Sequence, residues 1–121
     1  MASTASRSLA PVYLALAVPG YAAPAVPTLM ESVRSGNWLF WLDPPRTVAE
    51  LFANLTSTAF ALDLFVTVVV ALLWITVEAR RVGVRRPWAF WLLTFLLGLG
   101  GTLPLFLYFR ERRLYAGPAA R

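Results

Sequence analysis

Two long apolar runs separated by an arginine-rich turn constrain the fold of this chain more than any other feature. The first run covers residues 59–77 and the second covers residues 88–109. An α-helix rises 1.5 Å per residue, so about 20 apolar residues cross a bilayer core of roughly 30 Å. Both runs therefore predict membrane-spanning helices. The short connection EARRVGVRRP allows them to be only antiparallel neighbours.

A third apolar run lies near the start of the chain, at residues 9–30, and contains four prolines. Pro11 suits a first helical turn, whereas Pro19 removes a backbone hydrogen bond and predicts a kink. We interpret this run as a kinked first membrane span. A cleaved signal peptide and a re-entrant or interfacial segment are the alternatives. Apolar residues continue past any cleavage site, which argues against the signal peptide.

The only sizeable polar connection, residues 31–57, is nearly neutral and carries a cluster of aromatic residues suited to the headgroup level. Asp43 followed by two prolines predicts the N-cap of a helix. Apolar residues then recur at helical spacing from Val48 to Leu55, which predicts a short amphipathic helix lying on the membrane. The alternative is an early, tilted beginning of the second span.

Together these segments predict an all-α integral membrane protein of one domain. It would have three transmembrane helices, the last two an antiparallel hairpin, and a short interfacial helix after the first. The hydrophobic fraction of 59% and mean hydropathy of +0.64 agree, since soluble domains are about 45–50% apolar. The predicted boundaries are 9–30 for the first span, 31–57 for the connection, 58–79 for the second span, 80–87 for the turn, 88–109 for the third span and 110–121 for the tail.

The absence of cysteine and histidine excludes several kinds of chemistry. No disulfide, thiolate nucleophile, imidazole base or ordinary haem or zinc ligand is available. We therefore expect no cofactor, no metal and no assigned catalytic residue. All eleven basic residues are arginines at the ends of apolar runs, where they contact lipid headgroups, so nucleic acid is not an expected partner. Any proton chemistry is left to six carboxylates: Glu31, Asp43, Glu50, Asp63, Glu78 and Glu111.

Asp63 is the most informative of these carboxylates because it lies inside the second span, about 6 Å from the apolar boundary. A charged carboxylate at mid-bilayer costs on the order of 2.5–3.5 kcal/mol, so this side chain should face water or other helices. Thr56 and Thr67 share its helical face and complete a candidate intramembrane polar site. The site would serve a proton or ligand, or act as a polar latch to a neighbouring helix; we favour the latch.

The turn between the second and third spans is well marked. Gly83 suits the left-handed end of one helix and Pro87 the start of the next. Glu78 is placed to pair with Arg81, and we expect this pair to be solvated. The positive-inside rule marks the turn as cytoplasmic, but three spans would place the arginines after the third span on the opposite side. The residues assigned to topology and headgroup contact are Arg80, Arg81, Arg85 and Arg86.

Small residues in the third span predict a close helix contact. Gly98 and Thr102 form a small-xxx-small pair, Gly101 lies between them, and Pro104 bends the helix. We expect these residues to pack against the second span rather than to form a dimer.

The stretches TAFALDLFVTVVVALLWITVEARRVGVRRPW and GLGGTLPLFLYFRER resemble the DUF2834 family of small bacterial membrane proteins. The upstream YLALAVPGYAAPAVP and ELFAN add support, and the resemblance covers roughly residues 13–113. It implies a three-helix membrane fold and names no reaction. It also implies that Asp63 and the bend at Pro104 are family features.

We expect the chain to be a non-enzymatic accessory or assembly subunit of a larger complex in the bacterial inner membrane. The alternative is a proton-coupled carrier, or a lipid- or isoprenoid-modifying membrane protein, that uses Asp63. A catalytic site would need a second carboxylate near Asp63, yet Glu78 lies about 22 Å away along the same helix. The expected partners are the lipid bilayer and other membrane subunits or further copies of the chain, with a bound lipid or pigment as an additional candidate.

Overall fold

The structure of this chain is a computed structural model that describes residues 8–115. The part of the chain that it describes contains helices and no strand, which confirms the all-α class. Residues 116–121 of the predicted tail lie outside the described residues. The elements are α1 (Ala10–Ser35), a 3-10 turn (Trp38–Phe40), α2 (Pro44–Leu51), α3 (Leu55–Val82), α4 (Pro87–Leu97) and α5 (Leu99–Tyr115).

Two of these helices, α1 and α3, are long and apolar enough to cross a membrane. The prediction of a third continuous span over residues 88–109 is wrong. Gly98 ends α4 with φ +96° and ψ 157°, and its N–H bonds the carbonyl of Thr94. This positive φ is easily reached only by glycine, so the third apolar run folds as two helices rather than one.

The two helices α4 and α5 form an antiparallel hairpin around Gly98. Phe90 on α4 packs edge-to-face on Phe106 of α5, with ring centroids 5.2 Å apart, and on Phe109 at 6.0 Å. The chain therefore returns to the level at which α4 began. At 1.5 Å per residue the 11 residues of α4 extend about 16 Å, half the thickness of a bilayer core.

The hairpin packs against both long helices. Its core cluster joins Ile75 and Ala79 of α3 with Phe90 and Phe106 of the hairpin, and Ile75, Ala79 and Phe106 are fully buried. A second contact holds α5 against α1, where the backbones of Gly20 and Gly100 touch. A methyl group on Gly20 would overlap the carbonyl oxygen of Gly100, so glycine is required for this approach.

The connection between α1 and α3 is a compact, hydrogen-bonded cap. The Asp43 side chain accepts a hydrogen bond from the Arg46 N–H at 3.3 Å, which confirms the predicted N-cap of α2. The buried Asn37 side chain donates to the hydroxyl of Thr47 at 2.8 Å. Asn54 caps α3 reciprocally with Ser57, so α2 is a separate helix rather than an early part of the second span.

Candidate functional site

The side chain of Asp63 lies on an exposed face of α3. Within the described residues it makes no hydrogen bond and no ion pair, and it touches no other charged group. Its neighbour one turn back, Phe60, is 73% exposed. A carboxylate on the apolar surface of a candidate membrane span therefore has no cationic partner in the described part of its own chain.

The two threonines assigned to the same site are also exposed. No hydrogen bond joins Thr56 or Thr67 to Asp63 in the described part of the chain. Thr67 borders a shallow apolar groove of about 510 Å³ between α3 and α5, whereas Asp63 does not. The structure thus leaves the predicted polar site on the outside of the chain, and residues 8–115 form no latch with it.

Glu78, the other carboxylate of α3, has the opposite environment. Its side chain is 8% exposed and its Oε1 accepts hydrogen bonds from Arg81 and Arg110, both at 2.6 Å. The Nε of Arg81 also donates to Oε2 at 2.8 Å, which makes that contact bidentate. The expectation of a solvated surface pair is therefore wrong, because α5 returns beside α3 and brings Arg110 onto the carboxylate.

The residues predicted to pack helices lie at the α1–α5 contact. A methyl group on Gly101 would overlap the ring of Tyr21, and the Tyr21 hydroxyl bonds the hydroxyl of Thr102 at 2.8 Å. Thr102 in turn donates to the carbonyl of Gly98 at 3.0 Å. The contact is within the chain, but its partner is the first long helix rather than the second. Pro104 lies inside α5.

The break at Gly98 is supported by a side chain from the polar connection. The last carbonyls of a helix lack partners within that helix. One of them, the carbonyl of Phe95 in α4, accepts a hydrogen bond from the indole Nε1 of Trp41 at 2.8 Å. The two rings also pack edge-to-face at 6.2 Å. Trp41 thereby satisfies a carbonyl that has no partner within its own helix.

The hairpin gathers the arginines at one end of the molecule. The turn and the end of α5 together line a cavity of about 530 Å³. The start of α1 reaches the same end, where Glu111 accepts hydrogen bonds from the hydroxyl of Ser8 and the N–H of Leu9. The expectation that the arginines after the third run lie opposite the turn is therefore wrong. The described arginines at this end are Arg80, Arg81, Arg85, Arg86, Arg110, Arg112 and Arg113.

The opposite end is nearly balanced in charge. Arg46 bridges Glu50 at 2.9 Å and Glu31 at 3.4 Å. The hydrogen bond with the Glu50 carboxylate raises the pKa of Arg46 above its usual value. Arg34 is the other arginine that the structure describes at this end. The molecule is therefore strongly polarised, with basic groups concentrated where α3 ends.

The described residues contain no group of three or more carboxylates that would hold a metal ion. All six acidic residues lie in the described part of the chain, and five of them bond or pair with other groups; Asp63 does not. The arrangement therefore offers a single unneutralised carboxylate rather than a convergent acid–base pair.

Sequence reasoning missed two residues that shape the site. Gly20 gave no signal, since a lone glycine in a proline-rich run does not reveal the helix that approaches it. The sequence only weakly indicated that Glu78 is buried: it directly follows an apolar run, but its burial requires a second cation beside the carboxylate. That cation is Arg110, which a continuous third span would have placed at the opposite end of the molecule from Glu78.

Comparison with known proteins gives one match and two negative results. The family model described as "Protein of unknown function DUF2834" matches residues 12–112, which is most of the chain. No curated protein and no solved structure matches this chain.

Proposed function

The chain belongs to the DUF2834 family, and from that premise we propose that it is a non-enzymatic accessory subunit of a larger membrane complex. In this proposal α1 and α3 span the membrane, and the hairpin of α4 and α5 packs against both from one side. The exposed half of α3 docks on a helix of another subunit, and Asp63 contacts a cationic or hydrogen-bonding side chain there. Its place would be the bacterial inner membrane.

The exposure of apolar side chains supports residence in a membrane. A core helix of a soluble protein is mostly buried, whereas only 6% of the apolar window of α1 and 17% of that of α3 are buried inside the chain. Large apolar groups on α3 such as Val66 and Val70 are 65% and 60% exposed. Water would disfavour so much exposed apolar area, and lipid or a partner helix would cover it.

The single observation that carries the subunit role is the unpartnered Asp63. An ionised carboxylate facing lipid costs on the order of 2.5–3.5 kcal/mol at the bilayer centre. A partner helix that supplies an arginine, a lysine or hydrogen-bond donors removes that cost and at the same time fixes the register of docking. A proton-coupled or lipid-modifying role for Asp63 lacks such support, since Glu78 lies about 22 Å away and is already paired.

The experiment isolates the complex from its native membrane by mild extraction and measures the mass and composition of the particle that holds the chain. We expect a stoichiometric partner with the native chain and at least a tenfold loss of that partner with Asp63→Leu. Glu50→Gln is the control, because it alters an exposed carboxylate on α2, outside the candidate spans. Equal recovery of both variants in the membrane fraction verifies that they fold.

Two outcomes would overturn the subunit role. One is a native particle that contains this chain alone; the other is full retention of the partner by Asp63→Leu. Loss of proton or substrate turnover in Asp63→Asn, with the complex intact, would support the carrier or enzyme alternative instead.

Orientation follows from the charge asymmetry and has its own test. The arginine-rich end should face the cytoplasm by the positive-inside rule. The chain has no cysteine, so a single introduced thiol is a clean probe. We expect a membrane-impermeant thiol reagent to label Leu42→Cys in spheroplasts, whereas Leu114→Cys should need permeabilised membranes. The reverse pattern would reject the orientation.

A further inference from the structure

A cavity at the arginine-rich end is lined from both sides of the α4–α5 hairpin. Val84, Arg85 and Arg86 enter it from the turn, and Arg112 and Arg113 from the end of α5. Its remaining lining is apolar and comprises Ala89, Phe90 and Phe109. No acidic residue lines it. The volume of about 530 Å³ is in the range of small-molecule sites.

The charges in this cavity are only partly used within the described residues, where Arg112 donates a hydrogen bond to the Tyr108 hydroxyl at 3.4 Å. The carboxylates of this end, Glu78 and Glu111, are engaged by Arg81, Arg110 and the start of α1. In the described residues the side chains of Arg85 and Arg86 make no hydrogen bond or ion pair. Like-charged guanidinium groups held around one cavity repel one another, and an anion between them relieves that repulsion.

The backbone at the start of α4 adds to the positive electrostatic potential of the cavity. Arg86 is the N-cap residue of α4, and it has a left-handed conformation with φ +58° and no side-chain cap. Pro87 has no N–H and the Ala89 N–H donates to the Arg86 carbonyl at 3.0 Å, so the Trp88 N–H is the first donor of α4 without a side-chain cap. A helix N-terminus favours an anion, and planar guanidinium groups bind phosphate oxygens in pairs.

We propose that this cavity binds the phosphate of an anionic phospholipid, with Arg85, Arg86 and Arg112 around the headgroup. The inference is independent of the subunit role, which rests on Asp63 at a distant part of α3. A lipid is favoured over a soluble phosphate because the cavity is half apolar and lies where a candidate membrane span ends. Phe109 is exposed and is placed to meet an acyl chain.

The experiment uses the full chain in nanodiscs of phosphatidylcholine to which phosphatidylglycerol is added, with retained lipid counted by native mass spectrometry. We expect one phosphatidylglycerol retained per chain. The double variant Arg85→Gln with Arg86→Gln should weaken retention about 25-fold, since each arginine near an anionic surface contributes about fivefold. Arg80→Gln is the matched control, because that arginine is exposed at the same end but does not line the cavity.

A competition arm separates the two sources of phosphate. Inorganic phosphate at millimolar concentration should leave lipid retention unchanged if the acyl chains contribute to binding. Displacement by inorganic phosphate alone would assign the cavity to a soluble anion and overturn the lipid. Equal retention of phosphatidylcholine, or equal losses in the double variant and in Arg80→Gln, would overturn a specific site.

Discussion

The two halves of α3 carry one carboxylate each, and the two carboxylates have opposite surroundings. Glu78 is almost fully buried and is held by Arg81 and Arg110. Asp63, about four turns earlier, is exposed and has no partner in the described chain. The buried core residues of α3 follow the same division, since Leu72, Ile75 and Ala79 lie in its second half and Ala61 alone in its first.

The difference separates the part of α3 that stabilises the fold from the part that is exposed for contact with other molecules. The second half of α3 packs on the hairpin and satisfies its charge internally. The first half packs on little of its own chain, and its carboxylate, Asp63, has no partner in the described residues. A carboxylate that costs free energy in lipid and contributes nothing to internal packing is expected to have an intermolecular role.

The largest effect on stability is expected from Glu78→Gln. It removes the negative charge that pairs with Arg110, a mostly buried cation, so we expect a loss of about 3 kcal/mol in the free energy of unfolding. Denaturant titration of the chain in detergent measures it. Glu50→Gln breaks only an exposed pair and should cost far less. Equal losses for the two variants would show that the Glu78 cluster is not the internal clamp described above.

A smaller loss is expected from Gly20→Val. Its side chain would overlap the backbone of Gly100 and push α1 away from α5, which costs about 2 kcal/mol when a packed contact must open. Ala23→Val is the control, since Ala23 is exposed on the same helix. The same titration compares them. An unchanged midpoint for Gly20→Val would mean that the two helices do not touch there.

The smallest effect on stability is expected from Asp63→Leu. No contact within the described chain is lost, so the free energy of unfolding of the isolated chain should change by less than about 0.5 kcal/mol. Loss of the partner without loss of stability would sharpen the contrast with Glu78. A loss near that of Glu78→Gln would remove the contrast, because Asp63 would then have an internal partner.

Local sequence signals predicted three helix ends correctly: the end of α3 and the starts of α2 and α4. Gly83 has the left-handed conformation that ends α3, with φ +78°, and Pro87 begins α4. Asp43 caps α2 as its position before two prolines predicts. These features depend on one or two residues and the backbone beside them, so the sequence carries them directly.

The same kind of local sequence signal could not predict the path of the third apolar run. Its length and hydropathy equally suit one straight span and two shorter helices, and hydropathy does not record a φ of +96° at Gly98. The bend is stabilised by distant groups, among them the indole of Trp41 and the hydroxyl of Tyr21. Neither group is close in sequence to the residues that it supports.

The sequence by itself determined the all-α class, two of the three predicted long apolar helices and the isolation of Asp63 from other carboxylates along α3. These follow from run length, periodicity and spacing, which are local. Only the tertiary structure decided that the chain turns back at Gly98, because that turn depends on contacts with α1 and Trp41. The turn brings Arg110 onto Glu78 and Arg112 beside Arg85, so the ion-pair cluster and the basic cavity exist only in the folded chain.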